Sequence, residues 1–257
     1  MDSQALRALY DQQQRLDVQY PGTRREVTEQ VVRVIEPERG AVLYARIDAT
    51  NADAVIEHEI AYFKSLGIAD EFEWKLFGHD QPADLRERLI RHGFAVVEPA
   101  DAVMVLDLSA LPPKLAQPVT HDIRRITDER GLDDVYSVIA AVWPEEEHGA
   151  AKRNKIALLR DHPASISLFV AYVDGQPVSE GWVDFPGTDF AGLWGGATLP
   201  EYRQRGLYTA LVAVRAQAAI QRGYRYLTID ASPMSRAVLE KQGFVVIATA
   251  WECNYRG

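Results

Sequence analysis

The sequence predicts an α/β (α+β) protein in two halves. Three observations carry this reading. Strand-like runs alternate with helix-periodic runs along most of the chain. Residues 109–118 hold three prolines, suit an extended connector, and divide the 257 residues into parts of similar size, 1–110 and 111–257. Each part also closes with the same order: strand, polar turn, amphipathic helix, Gly-Phe, strand.

The first half is expected to hold a long helix over 52–66, a strand over 71–77, and a helix over 82–92 stopped by Gly93. Strands over 94–97 and 102–108 follow. The second half opens with a strand over 119–125 and helices over 132–143 and 150–160. Strands over 166–173 and 178–185 are joined by Asp174-Gly175, a good hairpin turn. A third strand, 190–197, leads to a long helix, 205–222, whose Leu207, Leu211, Val214 and Ala218 mark one buried face. Gly223 is placed to end it. A strand over 226–229, a short helix over 235–242 and a strand over 244–253 complete the chain. Leu85, Leu89 and His92-Gly93-Phe94 echo Arg236, Leu239 and Gln242-Gly243-Phe244, and a long helix precedes each set. This pattern suggests a diverged internal duplication.

Composition narrows the function classes. Hydrophobic residues make up 47%, enough for a buried core. A formal net charge of −9 argues against a nucleic-acid binder, which needs a basic footprint. No run approaches the roughly 18 apolar residues of a membrane span, and residues 1–20 lack a signal-peptide core. Cys253 is the single cysteine, so no internal disulfide forms and the cytoplasm is the expected compartment. The six histidines are scattered without ligand spacing, so no metal is expected.

The informative stretch is 193–211. An apolar strand runs into a tight turn with Arg203, Arg205 and Gly206, then directly into the long helix. The first N–H groups of a helix lack intrahelical partners and sit at the positive end of its dipole, which suits a diphosphate. Gly206 would let phosphate approach the main chain, and the two arginines add charge at the rim.

Pro200-Glu-Tyr-Arg-Gln-Arg-Gly-Leu-Tyr-Thr-Ala-Leu211 resembles the acyl-CoA-binding motif of the GCN5-related N-acetyltransferase (GNAT) superfamily, Gln/Arg-x-x-Gly-x-Gly/Ala. Tyr208 stands where the family usually has Gly or Ala. Ser232 and Leu239-Glu-Lys-Gln-Gly-Phe244 resemble the family's second signature, and the likeness covers about 119–257. It implies a tandem acyl-CoA N-acyltransferase-like fold on a mixed central sheet flanked by helices, with a degenerate first half and splayed strands four and five in the second. It also implies acetyl-CoA as co-substrate and a primary amine of a small molecule or peptide as acceptor, attacked directly. Ala197, Thr198 and Leu199 would meet the pantetheine arm, and Arg203, Gln204, Arg205, Gly206, Leu207, Tyr208 and Thr209 the phosphates. A homodimer through the last strand is conceivable on this reading.

The amine must lose a proton before attack. Glu180, Trp182 and Asp184 share one strand face by alternation; Glu180, nearer the middle of its strand, is the first candidate base and Asp184 the second, against a solvated face as the plain reading. The family's usual tyrosine acid is replaced by Leu239, leaving Ser232, Tyr208 or water as the candidate proton donor. The acidic run 145–147 could guide a cation or be a solvated loop. Gly78-His-Asp-Gln-Pro82 is read as a turn that caps the next helix. A non-catalytic acyl-CoA sensor is the alternative, since the tyrosine is missing.

Overall fold

The computed structural model describes residues 2–145 and 148–257. Helix α1 (Ser3–Tyr10) starts where the Asp2 carboxylate accepts the Ala5 N–H at 2.8 Å. It continues as a π-helical stretch, Asp11–Leu16. An antiparallel ribbon follows, β1 (Arg24–Val27), β2 (Val31–Ile35) and β3 (Gly40–Ala45). Neither the ribbon nor α1 is legible in the pattern of apolar residues, because β2 is buried on both faces and shows no alternation. Its Arg33 is buried too, held by Glu59 at 2.7 Å and Glu26 at 2.8 Å. Helix α2 (Ala52–Ser65), β4 (Phe72–Phe77), α3 (Leu85–Arg91), β5 (Phe94–Val96) and β6 (Asp101–Asp107) come next, close to their expected places.

The expected extended connector over 109–118 is folded. A 3-10 turn, Leu108–Ala110, leads to a short helix, α4 (Pro113–Ala116), with Pro113 in its first turn. Proline's fixed φ starts a helix as readily as it extends a chain. Leu115 is fully buried, and the Gln217 amide donates to the Leu115 and Gln117 carbonyls at 3.2 Å each.

Then come β7 (Asp122–Ile126), α5 (Glu129–Val142), α6 (Gly149–Asp161), β8 (Ile166–Val173), β9 (Gln176–Asp184) and β10 (Phe190–Thr198). Helix α7 (Leu207–Gln221), β11 (Tyr226–Ala231), α8 (Pro233–Glu240) and β12 (Val245–Tyr255) complete the order. Strands β7 to β10 pair antiparallel in sequence, and β11 joins β10 in parallel. The single buried face expected for α7 is too narrow. Leu207 and Leu211 are buried, Val214 and Ala218 only half so, and Ala210, Val212, Ala213, Ala216 and Ala219 are buried as well. The helix packs on β8, β9 and β10 and also against α4, so it is enclosed on more than one side.

The chain forms two compact units. One comprises Met1–Met104, Asp230–Arg236 and Val246–Gly257, the other Val105–Ile229 and Ala237–Val245. The last strand therefore joins the first unit, where β12 pairs antiparallel with β4 and with β5. At Cys253 and Asn254 it is paired on both sides, so this stretch has no open edge for a second chain. Cys253 is buried in the first unit's core beside Trp74, Phe63 and Tyr255. One order recurs in both units: antiparallel strands, a long helix, then a parallel strand. The parallel pairing spans Gly40–Val42 with Phe72–Trp74 in one, and Phe190–Gly192 with Tyr226–Thr228 in the other.

A fragment ending at residue 110 lacks β12 and with it the partner of β4 and β5. Far-UV circular dichroism is expected to show a cooperative thermal transition for the full chain and none for the fragment.

Candidate functional site

The second unit's site begins where β10 and β11 part. They pair only through Phe190–Gly192 and Tyr226–Thr228, while β10 runs on to Thr198. Just beyond the parting, Gly195 (φ 67°) and Gly196 (φ 105°) turn left-handed, and the register to β9 slips between Gly195 and Thr198. This is a β-bulge. A Cβ on Gly195 would lie 2.7 Å from both Glu180 Oε2 and the Trp182 ring, and one on Gly196 would lie 2.9 Å from the Tyr208 ring. Only glycine fits either place.

Two buried charges hold the bulge. Glu180, 0% exposed, accepts the Gly196 N–H at 3.2 Å and the Ala197 N–H at 3.0 Å on Oε1. Its Oε2 has no hydrogen-bond partner among the described residues. Burial pushes the carboxyl up to about 7, against the pull of the two N–H groups and Arg215. Arg215, also 0% exposed, donates to the carbonyls of Trp194 at 3.0 Å, Trp182 at 3.3 Å and Leu211 at 2.9 Å. It passes Gly181, where a Cβ would lie 2.8 Å from its Nη1. Burial lowers its pKa.

Glu180, Trp182 and Asp184 share a face, as alternation requires, but the face is not a solvated one. Lys155 from α6 sets its ammonium 4.2 Å from the Trp182 ring centroid. Asp184 is pushed up by burial and drawn down by Lys155. Its Cα partner is Gly192, so it lies about 13 Å along the strand from Glu180 and cannot serve the same proton. Tyr136 from α5 has its hydroxyl pushed up by burial and by the Glu180 charge.

After β10, a 3-10 turn over Pro200–Tyr202 leads to Gln204 (φ 61°) and Gly206 (φ 79°), and α7 starts at Leu207. The left-handed pair turns the chain so that the first N–H groups of α7 open outward. Arg203, Gln204 and Arg205 are exposed. Arg203 Nε donates to the Thr198 carbonyl at 3.1 Å, and Arg205 lies 4.9 Å over the Tyr202 ring. His121 Nε2 stands 3.2 Å from the Arg205 carbonyl.

Several expected contacts are already taken within the unit. The Ala197 carbonyl accepts from Ser179 Oγ at 2.8 Å, Thr198 Oγ1 meets the same hydroxyl at 2.7 Å, and the Leu199 N–H donates to Val178 at 2.9 Å. Leu207 is buried among apolar residues, and Thr209 Oγ1 accepts from Gln242 at 2.9 Å. Tyr208 packs its ring on the bulge at Gly196. Ser232 falls in the first compact unit, is exposed, and caps α8 through Ser235 and Arg236. Leu239 is fully buried. Of the acidic run, Glu146 and Glu147 lie outside the described residues.

The first unit treats the corresponding place differently. Beyond the paired residues of β3 and β4, Arg15 from the π-helical stretch donates to the Leu43 carbonyl at 3.0 Å. It also donates to both Asp80 oxygens at 2.8 Å and lies 3.9 Å over the Phe77 ring. Asp80 thus holds Arg15 and the Phe77 N–H instead of capping α3. His79 Nε2 lies 2.8 Å from Asp11, beside an open hollow of about 410 Å³. Where the second unit has its Arg/Gly turn, this one has Asp48, whose carboxylate already accepts the Thr50 N–H at 2.7 Å.

Arg215, Lys155, His121 and the Gly195-Gly196 pair escaped the sequence reading. Arg215 was detectable as the lone charge in an apolar helical run, and two glycines late in a strand signal a bulge. Lys155 and His121 had no local signal.

Residues 132–244 match the family model "Acetyltransferase (GNAT) family". No curated protein matches the chain in sequence. The chain is similar to the solved GCN5-related N-acetyltransferase from Kribbella flavida, with 17% identity over 99% of this chain and 96% of that one, and a TM-score of 0.68. A functionally unknown conserved protein from Staphylococcus epidermidis ATCC 12228 gives 16%, 91%, 94% and 0.66. A tandem GNAT protein from the clavulanic acid biosynthesis pathway gives 16%, 93%, 84% and 0.56. These likenesses establish a GNAT-like fold over nearly the whole chain, as its sequence motifs imply. Among the described residues no His/Cys/Asp/Glu group is arranged to hold a metal, and no helix is long and apolar enough to cross a membrane.

Two outcomes follow. Gly195→Ala is expected to destabilise the protein by about 1–3 kcal/mol in urea unfolding, through contact with Glu180 and Trp182 and a strained φ. Glu180 keeps its proton to about pH 7 when folded but loses it near 4.5 when unfolded. Its stabilising share is therefore full below pH 4.5 and lost as pH rises through 7. The melting temperature of Glu180→Gln, relative to wild type, is expected to be higher at pH 8 than at pH 5.

Proposed function

We propose that the second unit transfers an acetyl group from acetyl-CoA to the primary amine of a small molecule or peptide, by direct attack of the amine on the thioester. The observation that carries this reading is the parting of β10 and β11 after three paired residues, with the left-handed turn at Gln204–Gly206 leading into α7. The turn fits a diphosphate. A Cβ at Gly206 would meet nothing nearer than the His121 ring at 3.7 Å, so the main chain there is open to a ligand. Arg203, Gln204, Arg205, Gly206, Leu207, Tyr208 and Thr209 make up the phosphate site. Ala197, Thr198 and Leu199 flank the pantetheine arm, with fewer open main-chain groups than an undisturbed strand would offer.

The coenzyme supplies the acetyl thioester. Glu180 serves as base: a carboxyl titrating near 7, with one oxygen lacking a partner, accepts a proton at neutral pH and returns it easily. The two N–H groups on Oε1 keep it aimed at the bulge. Trp182 and Asp184 attract the cationic form of the acceptor. Arg15 fills the matching gap in the first unit, which supports one coenzyme site per chain. The fully buried Leu239, standing where the superfamily has its tyrosine, favours one competing reading, a sensor that binds without turnover.

Calorimetric titration of acetyl-CoA, followed by coenzyme A release across a panel of amines, tests both readings. Saturable one-to-one binding with turnover is the expected result. Binding without turnover supports the sensor, and no binding overturns both. Gly206→Asp is expected to abolish binding in a protein that still folds. Glu180→Gln is expected to lower kcat by about 100-fold or more and to remove a rise in kcat/KM centred near pH 7.

A further inference from the structure

The face of β9 that carries Glu180 already holds an amine. Lys155, half-buried on α6, sets its Nζ 4.2 Å from the centroid of the Trp182 ring. The same ring and the unpartnered Glu180 Oε2 converge on one point, each 2.7 Å from where a Gly195 Cβ would stand. The other oxygen of Glu180 is fixed on the N–H groups of Gly196 and Ala197, in the bulge beside which the thioester would lie. A primary amine on the face of an aromatic ring whose edge borders a buried carboxyl with an open oxygen is the arrangement an acceptor substrate needs. Lys155 occupies it from within the chain. Its charge also lowers the pKa of both Glu180 and Asp184.

We propose that Lys155 is a self-acetylation site: in the absence of an external amine, its Nζ takes the acetyl group from acetyl-CoA bound to the same chain. This rests on the acetyltransferase reading above. The neutral amine attacks the thioester carbonyl carbon, so a C–N bond forms and the C–S bond breaks. Glu180 takes one proton from the ammonium before the attack, and the electron pair leaves on the coenzyme sulfur, which takes the second proton as nitrogen releases it. The amide product carries no charge, so the cation–π contact with Trp182 and the pull on the two carboxylates disappear. The acetylated side chain fills the acceptor's place and turns the enzyme off until the amide is removed.

The sequence contains six lysines, which makes the site readable by mass. Lys114 and Lys241 are exposed and serve as internal controls for chemical acetylation. The full-length protein is incubated with acetyl-CoA without an amine, followed by intact-mass measurement and peptide mapping. One acetyl group on Lys155 is expected, at a rate per molecule independent of protein concentration. Glu180→Gln is expected to slow it about 100-fold, and Lys155→Arg to leave only the background seen on Lys114 and Lys241. Acetylation of Lys155 no faster than in heat-unfolded protein overturns the proposal. So does a rate that rises with protein concentration. Calorimetry on the same sample separates the two readings. Acetyl-CoA bound with Lys155 unmodified overturns self-acetylation alone, whereas no binding overturns the acetyltransferase reading and this inference with it.

Discussion

The bulge of β10 at Gly195–Gly196, clamped between Glu180 on one face and Arg215 on the other, is the constraint on which the second unit's site depends. Bulging removes main-chain groups from the ladder, and each buried orphan costs free energy unless re-paired. Glu180 takes the N–H groups of Gly196 and Ala197, and Arg215 takes the carbonyls of Trp194 and Trp182. A buried carboxylate and a buried guanidinium would each be expensive alone. Here each is solvated by backbone dipoles in place of water. The arrangement also sets the chemistry, because the desolvation that raises Glu180 arises from the role that fixes its position.

The two units set different residues on one β-α-β plan. In both, parallel strands pair for three residues and then continue without that pairing. In the second unit the gap is lined by glycines and leads to an open turn. In the first, Arg15 donates to the Leu43 carbonyl and is pinned by Asp80 and Asp11. A side chain of the unit thereby does what a ligand's amide would otherwise do. Asp80 is engaged in holding Arg15, and His79 in pairing with Asp11.

The turn before α7 is the most legible part, because it is local: strand, Arg-Gln-Arg-Gly, helix. The β8–β9 hairpin and α5 were legible from periodicity for the same reason. What stayed hidden depends on contacts distant in sequence. The proline-rich stretch folds as α4 because Leu115 finds a buried place and Gln217 meets its carbonyls, about a hundred residues away. The β1–β3 ribbon stayed hidden because Arg33 interrupts an apolar run, and its partner Glu59 lies on α2. Glu180 is legible from alternation, from Trp182 beside it and from its place near the middle of the strand. Its burial and its grip on the bulge are tertiary facts, and Ser232, chosen by likeness, turned out to be a helix cap.

The placement of β12 has a consequence for how the chain is made. A ribosome delivers residues in order, and β12 emerges only after all of 105–229. Until then the first unit, although its opening residues are synthesised earliest, has β4 and β5 without the strand that pairs with both. Long-range closure of this kind is slow, and it leaves apolar strand edges bare meanwhile. Of the two units, the one whose strands are mostly translated before the other's is thus completed after it, and Trp74 and Phe63 must wait for Cys253 and Tyr255 before their core can close.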